Sequence, residues 1–130
     1  MKCLIAADVL IGALDRNDAH HAQSRQWLTD WRGRQDAVAI SAVNLTEVLV
    51  APAADARTLM TAREAIAALE IEVQLPNEAI AIDAARLRGQ HPISLPDAYC
   101  LATARHTKST VASYDQKLLT AAAAEAIPTV

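Results

Sequence analysis

The sequence contains no phenylalanine, and two tryptophans and two tyrosines are its only aromatic residues. The core of this 130-residue chain must therefore be packed from leucine, isoleucine, valine and alanine, which a hydrophobic content of 52% supplies. Glycine and proline are also scarce, with three and five copies, which favours a compact globular protein over a disordered tail. Length and composition together predict one globular domain over residues 1–130.

Cysteines, long apolar runs and positive charge are also scarce. Cys3 and Cys100 form no CxxC pair, which favours reduced, partly buried thiols over a disulfide or a zinc site. No apolar run approaches the ~20 residues that span a bilayer, and the apolar N-terminal stretch is too short for a signal peptide. We therefore expect a cytoplasmic protein without membrane association.

The formal charge of −3 provides no general attraction to nucleic acid. A local basic rim would have to come from a few side chains, for which a solvated helix face is the alternative interpretation. The residues considered for such a rim are Arg86, Arg88, Arg105, Lys108 and Lys117.

Short apolar stretches alternate with longer segments of helical periodicity. This order is typical of an α/β domain in which helices cover both faces of a parallel sheet. The predicted strands span residues 2–5, 37–40, 71–73, 110–113 and 128–130. The predicted helices span residues 9–14, 19–31, 42–51, a segment containing 59–69, 78–89, 97–107 and 116–125.

Four acidic residues lie just beyond a predicted strand or in an early helical turn: Asp8, Glu47, Asp97 and Asp115. Because the carboxyl ends of parallel strands meet at one edge of a sheet, we expect these side chains to share a crevice. Carboxylates that lie so close together raise one another's pKa values unless a cation neutralises their charge. Oxygen ligands without a His or Cys cluster favour Mg²⁺ or Mn²⁺, which can activate water for phosphodiester cleavage.

Each acid also has a structural alternative. Residues 94–97 fit a capping box, so Asp97 could simply satisfy a helix N-terminus, and Asp115 could cap the last helix. Glu47 lies among apolar neighbours in the sequence and requires a partner there.

Aromatic and histidine residues point less clearly to function. His20 and His21 are adjacent and, on a helix, point about 100° apart, so we expect exposed side chains at a helix start instead of metal ligands. Trp27 and Trp31 are four residues apart and share a helix face. A core position or a partner groove is favoured for this pair over an RNA-stacking platform.

In their order and spacing, these stretches resemble the PIN-domain ribonucleases, in particular the VapC toxins of bacterial toxin–antitoxin pairs. The matching stretches are residues 7–15, 18–21, 27–28, 41–50, 95–98, 101–104 and 113–115. The resemblance implies a three-layer α/β/α PIN-like fold with a five-stranded parallel sheet and a Mg²⁺ or Mn²⁺ cofactor. It also implies RNA cleavage with tRNA as the expected substrate class, a homodimer, and a VapB-type antitoxin whose tail blocks the crevice, with an arginine reaching the carboxylates.

By the same resemblance, Glu47, Asp97 and Asp115 match the second, third and fourth acids of the family. The leading aspartate aligns with Ala6, and Asp8 aligns with a neighbouring polar position. Loss of this metal ligand predicts weak or absent RNA cleavage unless Asp8 substitutes for it. An engineered inactivating change is favoured over natural degeneration, because the rest of the motif is intact.

Two other functions are open on the sequence. A catalytically dead PIN-like module would bind RNA or protein and would have no need for a preserved acid cluster. A phosphotransfer receiver-like domain shares the topology but requires an acceptor aspartate after the third strand. Residues 74–77, Gln-Leu-Pro-Asn, offer none.

Overall fold

A computed structural model describes residues 1–130 and contains four strands, seven α-helices and one short 3-10 turn, Pro52–Ala54. The strands are β1 (Lys2–Ile5), β2 (Ala37–Ser41), β3 (Glu72–Gln74) and β4 (Thr110–Ala112). The helices are α1 (Ala7–Leu14), α2 (His21–Gly33), α3 (Ala42–Leu49), α4 (Ala56–Ala68), α5 (Glu78–Gln90), α6 (Leu95–Thr107) and α7 (Gln116–Ala124). None of these helices is both long and apolar enough to cross a membrane.

The four strands form one parallel sheet in the order β3-β2-β1-β4. β1 pairs on both sides, so that Leu4 lies opposite Ala39 of β2 and Val111 of β4. From β1 the chain adds β2 and then β3 on one side of the sheet, whereas β4 is added on the other side. The connections that follow β1 and β4 therefore run to opposite sides of the sheet. Such a switch point opens a crevice at the carboxyl edge of the sheet.

The predicted number of five strands is wrong. Residues 128–130 lie beside β4 but form only an isolated bridge, in which Thr129 pairs with Val111. Two backbone hydrogen bonds hold the segment there, from Val111 N to Pro128 O and from Val130 N to Val111 O, both 2.9 Å long. Pro128 has no N–H to donate, which limits the ladder to this single bridge.

Smaller differences occur at element boundaries. The third strand is shifted by one residue to Glu72–Gln74, and α1 begins at Ala7, two residues earlier than predicted. α6 begins at Leu95 instead of Asp97, because Ser94 is the residue that caps it.

Helices cover both faces of the sheet, and each face has its own apolar cluster. Alternate residues of β1 point to opposite faces, with Leu4 in one cluster and Ile5 in the other. The cores are largely aliphatic, as predicted, with Trp31 as the large aromatic exception. Cys3 and Cys100 form no disulfide and are fully buried, where partly buried thiols were predicted. Burial raises the pKa of each thiol, that of Cys3 to about 11.

Most helices begin at a side chain that accepts a hydrogen bond from a backbone N–H of the first turn. The residues that do so are Ser41, Asp55, Asn77, Ser94 and Asp115, for α3 to α7 in order. α1 and α2 lack such a cap. The N-cap position of α1 is Ala6, whose methyl group cannot accept a hydrogen bond.

Candidate active site

The carboxyl edge of the sheet opens into a crevice of about 550 Å³. All four acids singled out in the sequence line it, and Ala6 lies in its wall. Asp8 comes from the first turn of α1, Glu47 from α3, and Asp97 from the first turn of α6. Asp115 follows β4 and caps α7. Residues up to about a hundred positions apart in the sequence are therefore brought together at the switch point of the sheet.

Asp8 is held by the segment that follows β4. Its Oδ2 accepts hydrogen bonds from Ser113 Oγ at 2.9 Å and from the backbone N–H of Tyr114 at 2.8 Å. The second oxygen, Oδ1, is buried and has no hydrogen-bond partner. A buried carboxylate oxygen without a donor is unfavourable, so Oδ1 is available to a cation or a water molecule.

The pKa of Asp97 is raised by its environment in the crevice. Burial, the nearby carboxylate of Asp115, and more weakly those of Glu47 and Asp8, raise its pKa from 3.8 to about 6, although a hydrogen bond with Ser94 opposes the shift. The backbone N–H of Asp97 donates to Ser94 Oγ at 3.2 Å. Ser94 therefore caps α6, but the reciprocal half of the predicted capping box does not form, and the Asp97 carboxyl group lines the crevice instead.

Glu47 is exposed at the crevice, although its sequence neighbours are apolar. Its partner is Asn44, whose Nδ2 donates to Glu47 Oε1 at 3.0 Å and to Pro96 O at 3.2 Å. Asn44 is fully buried and thereby ties α3 to the first turn of α6, which carries Asp97. We did not identify Asn44 from the sequence. Its position three residues before Glu47, on the same helix face, was the available signal.

Asp115 is exposed and combines two roles. Its Oδ1 accepts a hydrogen bond from Leu118 N at 3.1 Å, so the predicted capping of the last helix is confirmed. The Asp115 backbone N–H donates to Ser113 Oγ at 3.1 Å, the same hydroxyl that donates to Asp8. Ser113, which the sequence did not suggest, thus links two of the acids.

The crevice has little positive charge of its own. Of the five basic residues considered for a rim, only Lys117 lines it. Arg86 and Arg105 form ion pairs with Glu125 instead, at 2.9 and 2.6 Å. The predicted basic rim is therefore reduced to a single lysine.

The donor chemistry of the crevice fits a hard divalent cation. Its donors are carboxylate oxygens, one of them buried without a partner, and burial together with the neighbouring carboxylate of Asp115 raises the pKa of Asp97. No group of three or more His, Cys, Asp or Glu side chains in the chain is arranged to hold one ion. Ala6, which is 3% exposed, contributes only a methyl group at this point of the wall.

The model of the PIN domain family matches residues 4–124. The chain therefore belongs to the PIN-domain family, which is of nuclease type. A search of curated proteins gives no significant match.

Several solved structures are similar to this chain. A toxin–antitoxin complex from Klebsiella pneumoniae is 26% identical, with a TM-score of 0.67 over 88% of each chain. FitAcB from Neisseria gonorrhoeae is 20% identical, with a TM-score of 0.74 over 98% of this chain and 95% of that one. VapC20 of Mycobacterium tuberculosis, a sarcin-ricin loop cleaving toxin, is 17% identical, with a TM-score of 0.75 over 92% and 94%. At these identities, the last two show a shared fold.

Proposed function

We propose that this chain is the toxin endoribonuclease of a VapBC-type toxin–antitoxin pair, impaired in the present sequence by Ala6. The observation that carries the proposal is the convergence of four acids on one crevice of a PIN-family fold. The similar toxin–antitoxin complex from Klebsiella pneumoniae supports the assignment as a toxin. RNA is the proposed substrate, with tRNA as its class, and the protein is expected in the cytoplasm as a homodimer.

The carboxylates would hold Mg²⁺ or Mn²⁺ in this proposal. The metal-binding positions are Glu47, Asp97, Asp115 and residue 6, where the aspartate is missing. A bound divalent cation supplies an activated water and neutralises charge on the phosphodiester. The unpartnered Oδ1 of Asp8 would bind a cation or a water molecule beside these metal-binding positions. Lys117 would contact a phosphate group of the RNA at the edge of the crevice.

The cognate partner is a VapB-type antitoxin that covers the crevice. With four acids and one lysine in its lining, the crevice attracts a cationic group. An arginine from the antitoxin would form charge-assisted hydrogen bonds with these carboxylates and block access of RNA.

The test is cleavage of a total tRNA pool in Mg²⁺ or Mn²⁺ by this chain and by its Ala6→Asp variant, with EDTA as the control. We expect the variant alone to cut, in a metal-dependent manner. Cleavage by both chains would show that Asp8 replaces the missing ligand. Cleavage by neither chain, in spite of metal binding, would contradict the nuclease assignment.

A PIN-like module that binds RNA or protein without cleaving it is the second candidate. Ala6 and the absence of a three-residue metal group favour it. This candidate predicts that the Ala6→Asp variant binds RNA as tightly as the present chain and still does not cut it.

A further inference from the structure

Three aromatic rings from α2 and its N-cap residue form a continuous stack with Tyr114, which follows β4. The rings of His20 and Tyr114 have centroids 3.8 Å apart and planes inclined by 10°. Trp27 lies against Tyr114 at 5.1 Å and 8°, and Trp31 lies against Trp27 at 5.8 Å and 24°. We refer to these four residues as the aromatic stack. Its order of contact runs from His20 through Tyr114 and Trp27 to Trp31.

The inner part of the aromatic stack is firmly anchored. Trp31 is 2% exposed and belongs to the apolar core beneath the sheet. The hydroxyl of Tyr114 is 2.8 Å from the Oγ of Ser24, which is fully buried, and the backbone N–H of Tyr114 donates to Asp8. The stack is therefore a fixed support, because each inner ring is held by packing or by a hydrogen bond.

The outer end of the aromatic stack is open. His20 is exposed, one face of its ring is covered by Tyr114, and no other aromatic ring contacts it. The backbone N–H of His20 donates to Asp18 Oδ1 at 2.8 Å, and this hydrogen bond holds the backbone that carries the imidazole. The free face therefore continues a stack whose outermost spacing is that of ordinary ring stacking.

The aromatic stack is connected to the candidate active site through Tyr114, the ring on which His20 lies. Tyr114 lies between Ser113 and Asp115, both of which line the crevice. A flat group that extends the aromatic stack would thus be held outside the crevice, two rings away from the segment that carries Ser113 and Asp115.

We propose that the exposed face of His20 is a stacking platform for an unpaired nucleobase of the RNA, and that it positions the strand next to the acidic crevice. The inference rests on the proposed function and names the part of the substrate that is held. The chain has a net charge of −3 and a single lysine in the crevice, so phosphate contacts contribute little attraction. Stacking on aromatic side chains, including histidine, holds single-stranded RNA without requiring positive charge.

The Trp pair does not fill this role itself. Trp31 is in the core and Trp27 is covered by Tyr114, so neither offers a free outer face comparable to that of His20. Their contribution is to support the ring that does.

The experiment measures binding of a short fluorescent single-stranded oligoribonucleotide in EDTA, by anisotropy, so that cleavage does not interfere. The variants are His20→Ala, which removes the ring, and His20→Phe, which keeps a stacking face without the imidazole nitrogens. His106→Ala is the matched control, because His106 is exposed but lies 3.5 Å from Asp83 in a different cluster. Thermal melting verifies that each variant is folded.

We expect His20→Ala to weaken binding by about 5- to 150-fold, the range for loss of one base-stacking side chain. His20→Phe should retain most of the affinity, and His106→Ala should bind as the parent chain does. An oligoribonucleotide with abasic sites should bind weakly and should not respond to His20→Ala.

Unchanged binding by His20→Ala would overturn the proposal, as would equal loss in His20→Phe, which would indicate an electrostatic contact. Absence of RNA binding by the parent chain would also overturn it. Cleavage by the Ala6→Asp variant separates this inference from the nuclease assignment. If that variant cuts but His20→Ala binds normally, only the stacking platform fails. If it does not cut while the base-dependent loss persists, the platform stands and the nuclease assignment fails.

Discussion

Two clusters that contain acidic residues lie at opposite ends of α6, and the pKa of a carboxyl group is raised in one and lowered in the other. At the N-terminal end, burial and neighbouring carboxylates raise the pKa of Asp97 to about 6. At the C-terminal end, hydrogen bonds from Arg105, His91 and Arg86 lower the pKa of Glu125 to about 2. The same type of side chain is thus destabilised as an anion in one cluster and stabilised in the other.

The difference lies in the counter-charges. We call the second group the arginine cluster, consisting of Asp83, Arg86, His91, Arg105 and Glu125. Within it, each arginine contacts both acids at distances of 2.6 to 3.0 Å, which ties α5, α6 and the end of α7 together. The crevice has only Lys117 for four acids. Carboxylates that the protein neutralises itself stabilise the fold, whereas those it leaves uncompensated are suited to bind a cation.

Removing one acid from each cluster should separate these roles most clearly in RNA cleavage. In the Ala6→Asp background, we expect Asp97→Asn to lower the cleavage rate by at least about 100-fold, since loss of a direct metal ligand should exceed the effect of a supporting residue. Glu125→Gln should leave the rate unchanged at a temperature where the protein is folded. Initial rates on the same tRNA pool provide the measurement. Equal losses in the two variants would contradict the distinction.

Divalent cations should stabilise the protein only through the crevice. In the Ala6→Asp background, Mn²⁺ or Mg²⁺ at 100 times its dissociation constant should increase the free energy of unfolding by about 2.7 kcal/mol. The increase should disappear with Asp97→Asn and persist with Glu125→Gln. Thermal melting with and without the metal measures both. A shift retained by Asp97→Asn would place the cation elsewhere.

Without metal, neutralising Asp97 should stabilise the present chain. The folded-state pKa of Asp97 is above its ordinary value, so ionisation at pH 7 opposes folding. We expect Asp97→Asn to increase the free energy of unfolding by about 1–2 kcal/mol at pH 7. The gain should shrink as the pH falls through 6 and vanish below 3.8, where the carboxyl is protonated in both states. Urea denaturation between pH 7 and 4 tests this, and a loss of stability at pH 7 would refute it.

Neutralising Glu125 should have the opposite and smaller effect. Its folded-state pKa is below the ordinary 4.5, so its contribution is complete above that pH and is lost as the pH falls toward 2. We expect Glu125→Gln to decrease the free energy of unfolding by about 1 kcal/mol at pH 7, because the surrounding arginines are partly screened by solvent. Arg88→Gln, outside the arginine cluster, is the matched control in the same urea series. An increase in the free energy of unfolding on Glu125→Gln would show that the arginine cluster does not stabilise the fold.

The sequence predicted features that depend on local signals. Ser94 and Asp115 cap helices because a short polar side chain before an apolar periodic segment is a local pattern. The alternation of strands and helices predicted the parallel sheet. The positions of the four acids, just beyond a strand or in an early helical turn, predicted that they share a crevice. The prediction of five strands failed because Pro128 limits residues 128–130 to one bridge with β4. The apolar pattern of this segment indicates a strand but does not give the number of pairs that it forms.

Features that join distant segments could not be predicted in this way. Asn44 bonds to Pro96 across 52 positions, and the aromatic stack joins His20 and Trp27 to Tyr114. Such contacts depend on how α2, α3 and α6 pack on the sheet. Periodicity indicated that Trp27 and Trp31 share a face, but it gave no information about the tyrosine that covers one of them.

The uncapped start of α1 means that the residue at position 6 affects the stability of a helix and, under the proposed function, the binding of metal. Aspartate and asparagine are both favourable N-cap residues and differ there mainly in charge. At position 6, aspartate would supply a cap and a metal ligand, asparagine a cap alone, and the present alanine supplies neither. Under the proposed function, an Ala6→Asn chain would thus be a more stable inactive variant that lacks the leading carboxylate and keeps the rest of the crevice available to bind an antitoxin.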